Sequence, residues 1–126
     1  MSGEILIVED NDKNLKLVRD LLQLNGYATL EATTAGEGIA LALEHLPALV
    51  LLDIQLPDMD GREALRQLRA DPRTASIPVV AVTAFAMAED GARFLAAGFD
   101  GYLPKPIDVG RFPEQVAGYC ASSRGQ

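Results

Sequence analysis

Ala48-Leu49-Val50-Leu51-Leu52-Asp53-Ile54-Gln55-Leu56-Pro57-Asp58-Met59-Asp60-Gly61 is the stretch from which the fold is read. Leu49 to Leu52 are apolar without alternation, and Asp53 interrupts them. A short continuous apolar run of this kind predicts a strand buried on both faces, as in a parallel sheet. The turn residues from Leu56 to Gly61 stop the strand just beyond Asp53. A carboxylate at the carboxyl end of a buried parallel strand lies where open α/β sheets place their ligands. A lone charge there is costly unless a cation or hydrogen-bond donors compensate it. The same residue also suits a plain turn cap, so the other strand ends must decide.

Upstream, Glu4 to Val8 form a second buried strand that breaks off in Glu9-Asp10-Asn11-Asp12. Asn11 or Asp12 can cap the helix predicted over Lys13 to Asn25, which leaves Glu9 and Asp10 unexplained. That helix carries a stripe of Leu15, Val18 and Leu22 flanked by Leu17, Leu21 and Leu24, and Asn25-Gly26 closes it. Tyr27 to Ala32 alternate weakly, as a strand nearer an edge does. Thr34-Ala35-Gly36-Glu37 matches a capping box, opening a helix through Ile39, Ala42, Leu43 and Leu46 that Pro47 ends. His45 falls in its last turn, where a cation suits the helix dipole.

Downstream of Gly61, Leu65 and Leu68 share one face of a short helix that stops by Ala70-Asp71-Pro72. Val79 to Val82 form another buried strand, ending at Thr83-Ala84. An Ala-rich helix is predicted from about Met87 to Ala97, then a turn over residues 98–101, then a short strand Tyr102-Leu103-Pro104. Lys105-Pro106 follows, and the last helix ends near Cys120, with Ser122 to Gln126 as a frayed tail. Five strands alternating with five helices predict one doubly wound parallel α/β sheet.

The 126 residues suffice for one domain with a core. At 48% apolar and 23% charged, the composition is that of a soluble globular protein. A net charge of −7 argues against nucleic acid as a partner. No apolar run approaches the roughly 18–20 residues needed to span a bilayer, and no signal peptide precedes the first strand. The single cysteine forms no intramolecular disulfide. These features together predict a cytoplasmic chain without a membrane association.

Right-handed crossovers bring the carboxyl ends of all the strands to one edge. Glu9, Asp10, Asp53, Thr83 and Lys105 therefore converge there. An oxygen-rich, histidine-free ligand set suits a hard divalent cation, Mg²⁺ above all. A carboxylate, such a cation, an ammonium and a hydroxyl are parts for stabilising a transferring phosphoryl group. No base for activating water is among them, and a carboxylate nucleophile forming an acyl phosphate needs none.

These residues resemble the response-regulator receiver domain of two-component signalling over nearly the whole chain, residues 1–121. The motifs are Glu9-Asp10, Asp53-Ile54-Gln55-Leu56-Pro57 reaching Gly61, Thr83-Ala84 and Lys105-Pro106. The resemblance implies a flavodoxin-like receiver fold with strand order 2-1-3-4-5. It implies Asp53 as phosphoacceptor, loaded from a phosphohistidine of a histidine kinase or histidine phosphotransfer protein. Asp10 and Asp53 would bind Mg²⁺ (or Mn²⁺), Gln55 would add its backbone carbonyl, and Glu9 would act through water. Thr83 and Lys105 would hold the phosphoryl oxygens, and the Lys105–Pro106 peptide would be cis. Thr83 and Tyr102 would form the switch, read by a downstream protein target on the face of the fourth helix, last strand and last helix. The chain would be a signalling phosphoacceptor rather than an enzyme, a monomer or weak dimer, and slow to dephosphorylate because Phe85 shields the acyl phosphate.

A narrower resemblance, carried by Asp10-Asn11 and the Val82 to Met87 run, is to single-domain receivers that govern bacterial cell-cycle and differentiation kinases. On that reading no output domain follows. The departures lie at the end: in this family the last helix starts near Asp108, yet Gly110, Pro113 and Gly118 follow. Either it starts late, with Pro113 in its first turn, or it kinks there. An aspartate-nucleophile phosphatase would need a second Asp where Gln55 stands. A flavin-binding module would want a phosphate loop where Glu9 to Asp12 stand. The other alternative is a receiver-like scaffold that is never phosphorylated, although no member of the quartet is missing.

Overall fold

Five parallel strands in the order β2-β1-β3-β4-β5 form one sheet: β1 Glu4–Val8, β2 Ala28–Ala32, β3 Leu49–Asp53, β4 Val79–Thr83 and β5 Gly101–Pro104. The helices between and after them are α1 Asp12–Leu24, α2 Ala35–His45, α3 Gly61–Ala70, α4 Ala88–Ala97 and α5 Phe112–Ala121. The structure is a computed structural model that describes residues 3–84 and 88–121. Phe85, the start expected for the fourth helix at Met87 and the expected tail from Ser122 lie outside these residues.

The order is the one the receiver resemblance implies, and the hydrophobic patterns agree with the central and edge places in it. All five residues of β3 and of β4 are buried, as their unbroken apolar runs predict for central strands. β2, with its weaker alternation, occupies an edge and buries only Ala32 fully. Alternate residues of each strand feed two cores. Leu6, Val8, Val50, Leu52 and Ala81 face α2, α3 and α4 through Ala42, Leu65, Leu68 and Phe94. Ile5, Ile7, Leu51, Val80 and Val82 face α1 and α5 through Val18, Leu22, Phe112 and Val116.

The local start and stop signals act largely as expected. Asn11 caps α1, its side-chain oxygen accepting from the Lys13 and Asn14 amides at 3.0 and 3.1 Å. Gly26 takes the left-handed conformation after α1 (φ 88°), whereas Asn25 does not. Leu24 departs from the expected stripe and is 82% exposed. At 100° per residue it lies about 200° around the helix from the buried Leu22, so it points to solvent.

At α2, the Thr34 hydroxyl accepts from the Glu37 amide. The reciprocal bond runs from the Thr33 amide to Glu37 Oε1, one residue upstream of the expected one. Leu46 is not part of the helix; it ends it in the left-handed conformation (φ 49°) ahead of Pro47. The last helix starts late. Asp108 gathers the Gly110 and Arg111 amides on its side chain and the Arg111 and Phe112 amides on its carbonyl. α5 then begins at Phe112, with Pro113 in its first turn, where a missing amide proton costs no helical bond.

Candidate functional site

The carboxyl ends of β1, β3, β4 and β5 bring Glu9, Asp10, Asp53, Thr83 and Lys105 to one edge of the sheet. Glu9, Asp53 and Thr83 are buried and Asp10 is exposed at the mouth. One carboxylate oxygen from each of Glu9, Asp10 and Asp53 lies within 4.8 Å of the others. The Lys105 ammonium bridges the two buried acids, 2.8 Å from Glu9 Oε1 and 3.2 Å from Asp53 Oδ2. The second oxygen of each acid accepts a backbone amide: Gln55 N–H donates to Asp53 Oδ1 at 3.1 Å, and Asn11 N–H to Glu9 Oε2 at 3.2 Å. The Lys105–Pro106 peptide is cis.

One ammonium does not balance three acids. Burial, reinforced by the Asp53 carboxylate beside it, raises the Glu9 pKa from 4.5 to about 7, against the opposing pull of Lys105 and the Asn11 amide. For Lys105, burial acts to lower the pKa. Its bond to Glu9 and the charges of Asp53 and Glu9 outweigh that and raise it. The site thus holds more negative charge than its own cation satisfies. Its donors are oxygen atoms only, the chemistry of a hard divalent cation, so Mg²⁺ fits the residues present.

The loop after β3 is a small hairpin. Gly61 N–H donates to the Ile54 carbonyl at 2.9 Å, and Gln55 forms an antiparallel bridge with Asp60. Asp60 caps α3 by accepting from the Arg62 amide at 2.7 Å. Glycine is needed at 61 because a Cβ there would lie 2.9 Å from the Asp53 carbonyl oxygen and from Ile54 Cα. Gln55 is thereby held next to Asp53 at the base of the hairpin.

Tyr102 is half-buried on β5 and packs against Phe94 of α4, ring centroids 6.1 Å apart. It stands beside the site on the sheet, in register with Ala81 of β4. Sequence reasoning passed over Asp58, whose carboxylate crosses from the hairpin tip to the start of α2: Oδ1 accepts from Ala35 N–H at 2.8 Å and Oδ2 from Gly36 N–H at 2.9 Å. Two turn aspartates, Asp58 and Asp60, look alike in the sequence, and no local signal tells which one reaches a distant helix.

Comparison with known proteins shows the family and the fold. The sequence profile of the response regulator receiver domain matches residues 5–117. The polar-differentiation response regulator DivK of Brucella ovis is 45% identical over 123 residues, covering 98% of this chain and 100% of the relative. Among solved structures, a CheY-like receiver domain protein from Methanospirillum hungatei superposes with a TM-score of 0.85 at 32% identity, over 96% of this chain and 95% of that one. The receiver domain of a sensor histidine kinase from Pseudomonas aeruginosa superposes with a TM-score of 0.87 at 30% identity, over 97% and 100%. That domain holds a magnesium ion in its active-site cleft.

Proposed function

The chain belongs to the response regulator receiver family and is similar to the DivK regulators, and on that premise we propose that it accepts a phosphoryl group on Asp53 from the phosphohistidine of a histidine kinase or phosphotransfer protein. The observation that carries the proposal is the setting of Asp53: buried at the end of β3, one oxygen on the Lys105 ammonium, the other on the Gln55 amide, two further acids beside it. An Asp53 oxygen attacks phosphorus, the P–N bond to the imidazole breaks, and its electron pair leaves with the imidazole nitrogen. The product is an acyl phosphate, and no water is activated. A divalent cation, when bound, would neutralise negative charge that builds up at the acids as the phosphoryl group arrives.

Asp10 and Asp53 would hold that cation together with the Gln55 carbonyl, and Glu9 would act through water. Lys105 moves from a carboxylate partner to a phosphoryl oxygen, and the Thr83 hydroxyl donates to another. Phosphorylation adds charge and strong acceptors, which favour the arrangement that draws Thr83 and Lys105 inward. Tyr102 follows, and the surface of α4, β5 and α5 presents the change to a downstream protein in the cytoplasm. Among the described residues, no helix is long and apolar enough to cross a membrane. The chain is a signalling phosphoacceptor, with only phosphotransfer and slow self-dephosphorylation of its own.

The test is intact mass after incubation with a small acyl or amido phosphate and Mg²⁺. Wild type gains one phosphoryl group; Asp53→Asn gains none, and wild type in chelator gains none. An unmodified wild type under every condition returns the chain to the scaffold alternative.

A further inference from the structure

The hairpin between β3 and α3 is fastened at three places, and two of them are its own backbone. Its base is closed by the Gly61-to-Ile54 hydrogen bond and the Gln55–Asp60 bridge. Its tip is fastened across the molecule by Asp58, whose two carboxylate oxygens each take one amide of α2. The first four amides of that helix are fully accounted for: Ala35 and Gly36 donate to Asp58, Glu37 to the Thr34 hydroxyl, and Gly38 to the Thr34 carbonyl. The helix could have been closed locally, as α1 and α3 are by Asn11 and Asp60. Instead half of its cap comes from the loop that carries Gln55.

We infer that Asp58 is a positioning residue for the cation site, holding the hairpin so that the Gln55 carbonyl and the Asp53 carboxylate keep a fixed separation. This rests on the receiver reading above. A charge-assisted, two-toothed clamp on a helix N-terminus is stronger and more directional than a neutral cap. It holds the hairpin tip against a rigid element, and a carbonyl ligand whose peptide is already held in place binds the ion with less ordering cost. Partners that orient a ligand typically change metal affinity on the order of tenfold or more when removed. The same two amides, Gly36 first and then Ala35, lower the pKa of the Asp58 carboxyl, so the clamp favours its ionised form.

The experiment is a titration of the metal-free full chain with Mg²⁺ alone, followed by amide chemical shifts, in wild type, Asp58→Ala, Asp58→Asn and Thr34→Ala. Thr34→Ala weakens the cap of the same helix from its own side and leaves the hairpin untouched, so it measures what loss of capping does by itself. Asp58→Asn keeps one acceptor oxygen and serves if the alanine variant does not fold. The expected result is a Kd for Mg²⁺ raised on the order of tenfold in Asp58→Ala, less in Asp58→Asn, and unchanged in Thr34→Ala. Equal affinity in wild type and both Asp58 variants, or an equal loss in Thr34→Ala, overturns the inference and leaves Asp58 as a helix cap, with the receiver reading intact. A wild type that neither binds Mg²⁺ nor takes up phosphoryl overturns the phosphoacceptor reading and this inference with it.

Discussion

Glu9 is the residue whose burden is largest in the absence of a cation. Its carboxyl is buried beside Asp53, and its pKa stands near 7 in the folded chain against 4.5 for a free side chain. Between these values the folded protein keeps a proton that the unfolded chain gives up. The stabilising contribution of this protonation is complete below the unfolded value and is lost as pH rises through about 7. Thermal melts in chelator check this: Glu9→Gln gains stability relative to wild type as pH is raised from roughly 5 to roughly 8. Parallel profiles for the two proteins would contradict it. That Glu9 and Asp10 belong to a site was legible because two acids directly after a core strand exceed what a helix cap requires. Which of them is buried was not, because adjacent residues on a strand end point to opposite sides and the packing chooses between them.

Among the elements, α2 shows how local signals and tertiary demands divide. Thr34 and Pro47 bracket it in the sequence, and it runs between them, from Ala35 to His45. Its stop, however, falls on a leucine in the left-handed conformation, 44% exposed, where a side chain pays for a crowded Cβ. Leu46→Gly therefore stabilises the protein by about 1 kcal/mol. Chemical denaturation reads this as a higher midpoint with an unchanged slope; a lower midpoint would mean that the Leu46 side chain contributes more by packing than its backbone loses. The late start of α5 is the converse case. Proline and glycine in the sequence left two structures open, and Asp108 with the buried Phe112 selects the later start by supplying a capped turn and an anchor.

At the scale of the whole molecule, the parallel sheet concentrates charge at one edge, and a bound cation would relieve it. If the acids at the edge hold Mg²⁺, the ion stabilises the folded chain by mass action, about 2.7 kcal/mol when its concentration is 100 times Kd. Calorimetric melts should show this rise in wild type and a clearly smaller one in Asp10→Asn, which removes the exposed acid without creating a buried gap. Equal rises in the two proteins would take Asp10 out of the site. A phosphoryl group on Asp53 would shift the face of α4, β5 and α5 only by its differential affinity for two arrangements, so amide chemical shifts on that face, compared between unmodified and phosphorylated protein, measure the shift.

Strand and helix order, the buried centre of the sheet and the gathering of four motifs at one edge were already determined by residue order. Apolar periodicity, caps and turn residues act within a few positions of themselves, and right-handed crossovers then put the carboxyl ends of the strands at one edge. Only tertiary structure decided that Lys105 bridges Glu9 and Asp53, the latter from 52 positions away, and that Asp58 rather than Asp60 closes α2. Such contacts join residues with no local relation. Their distances are set by how the cores on the two faces of the sheet pack, and packing is a property of the assembled chain.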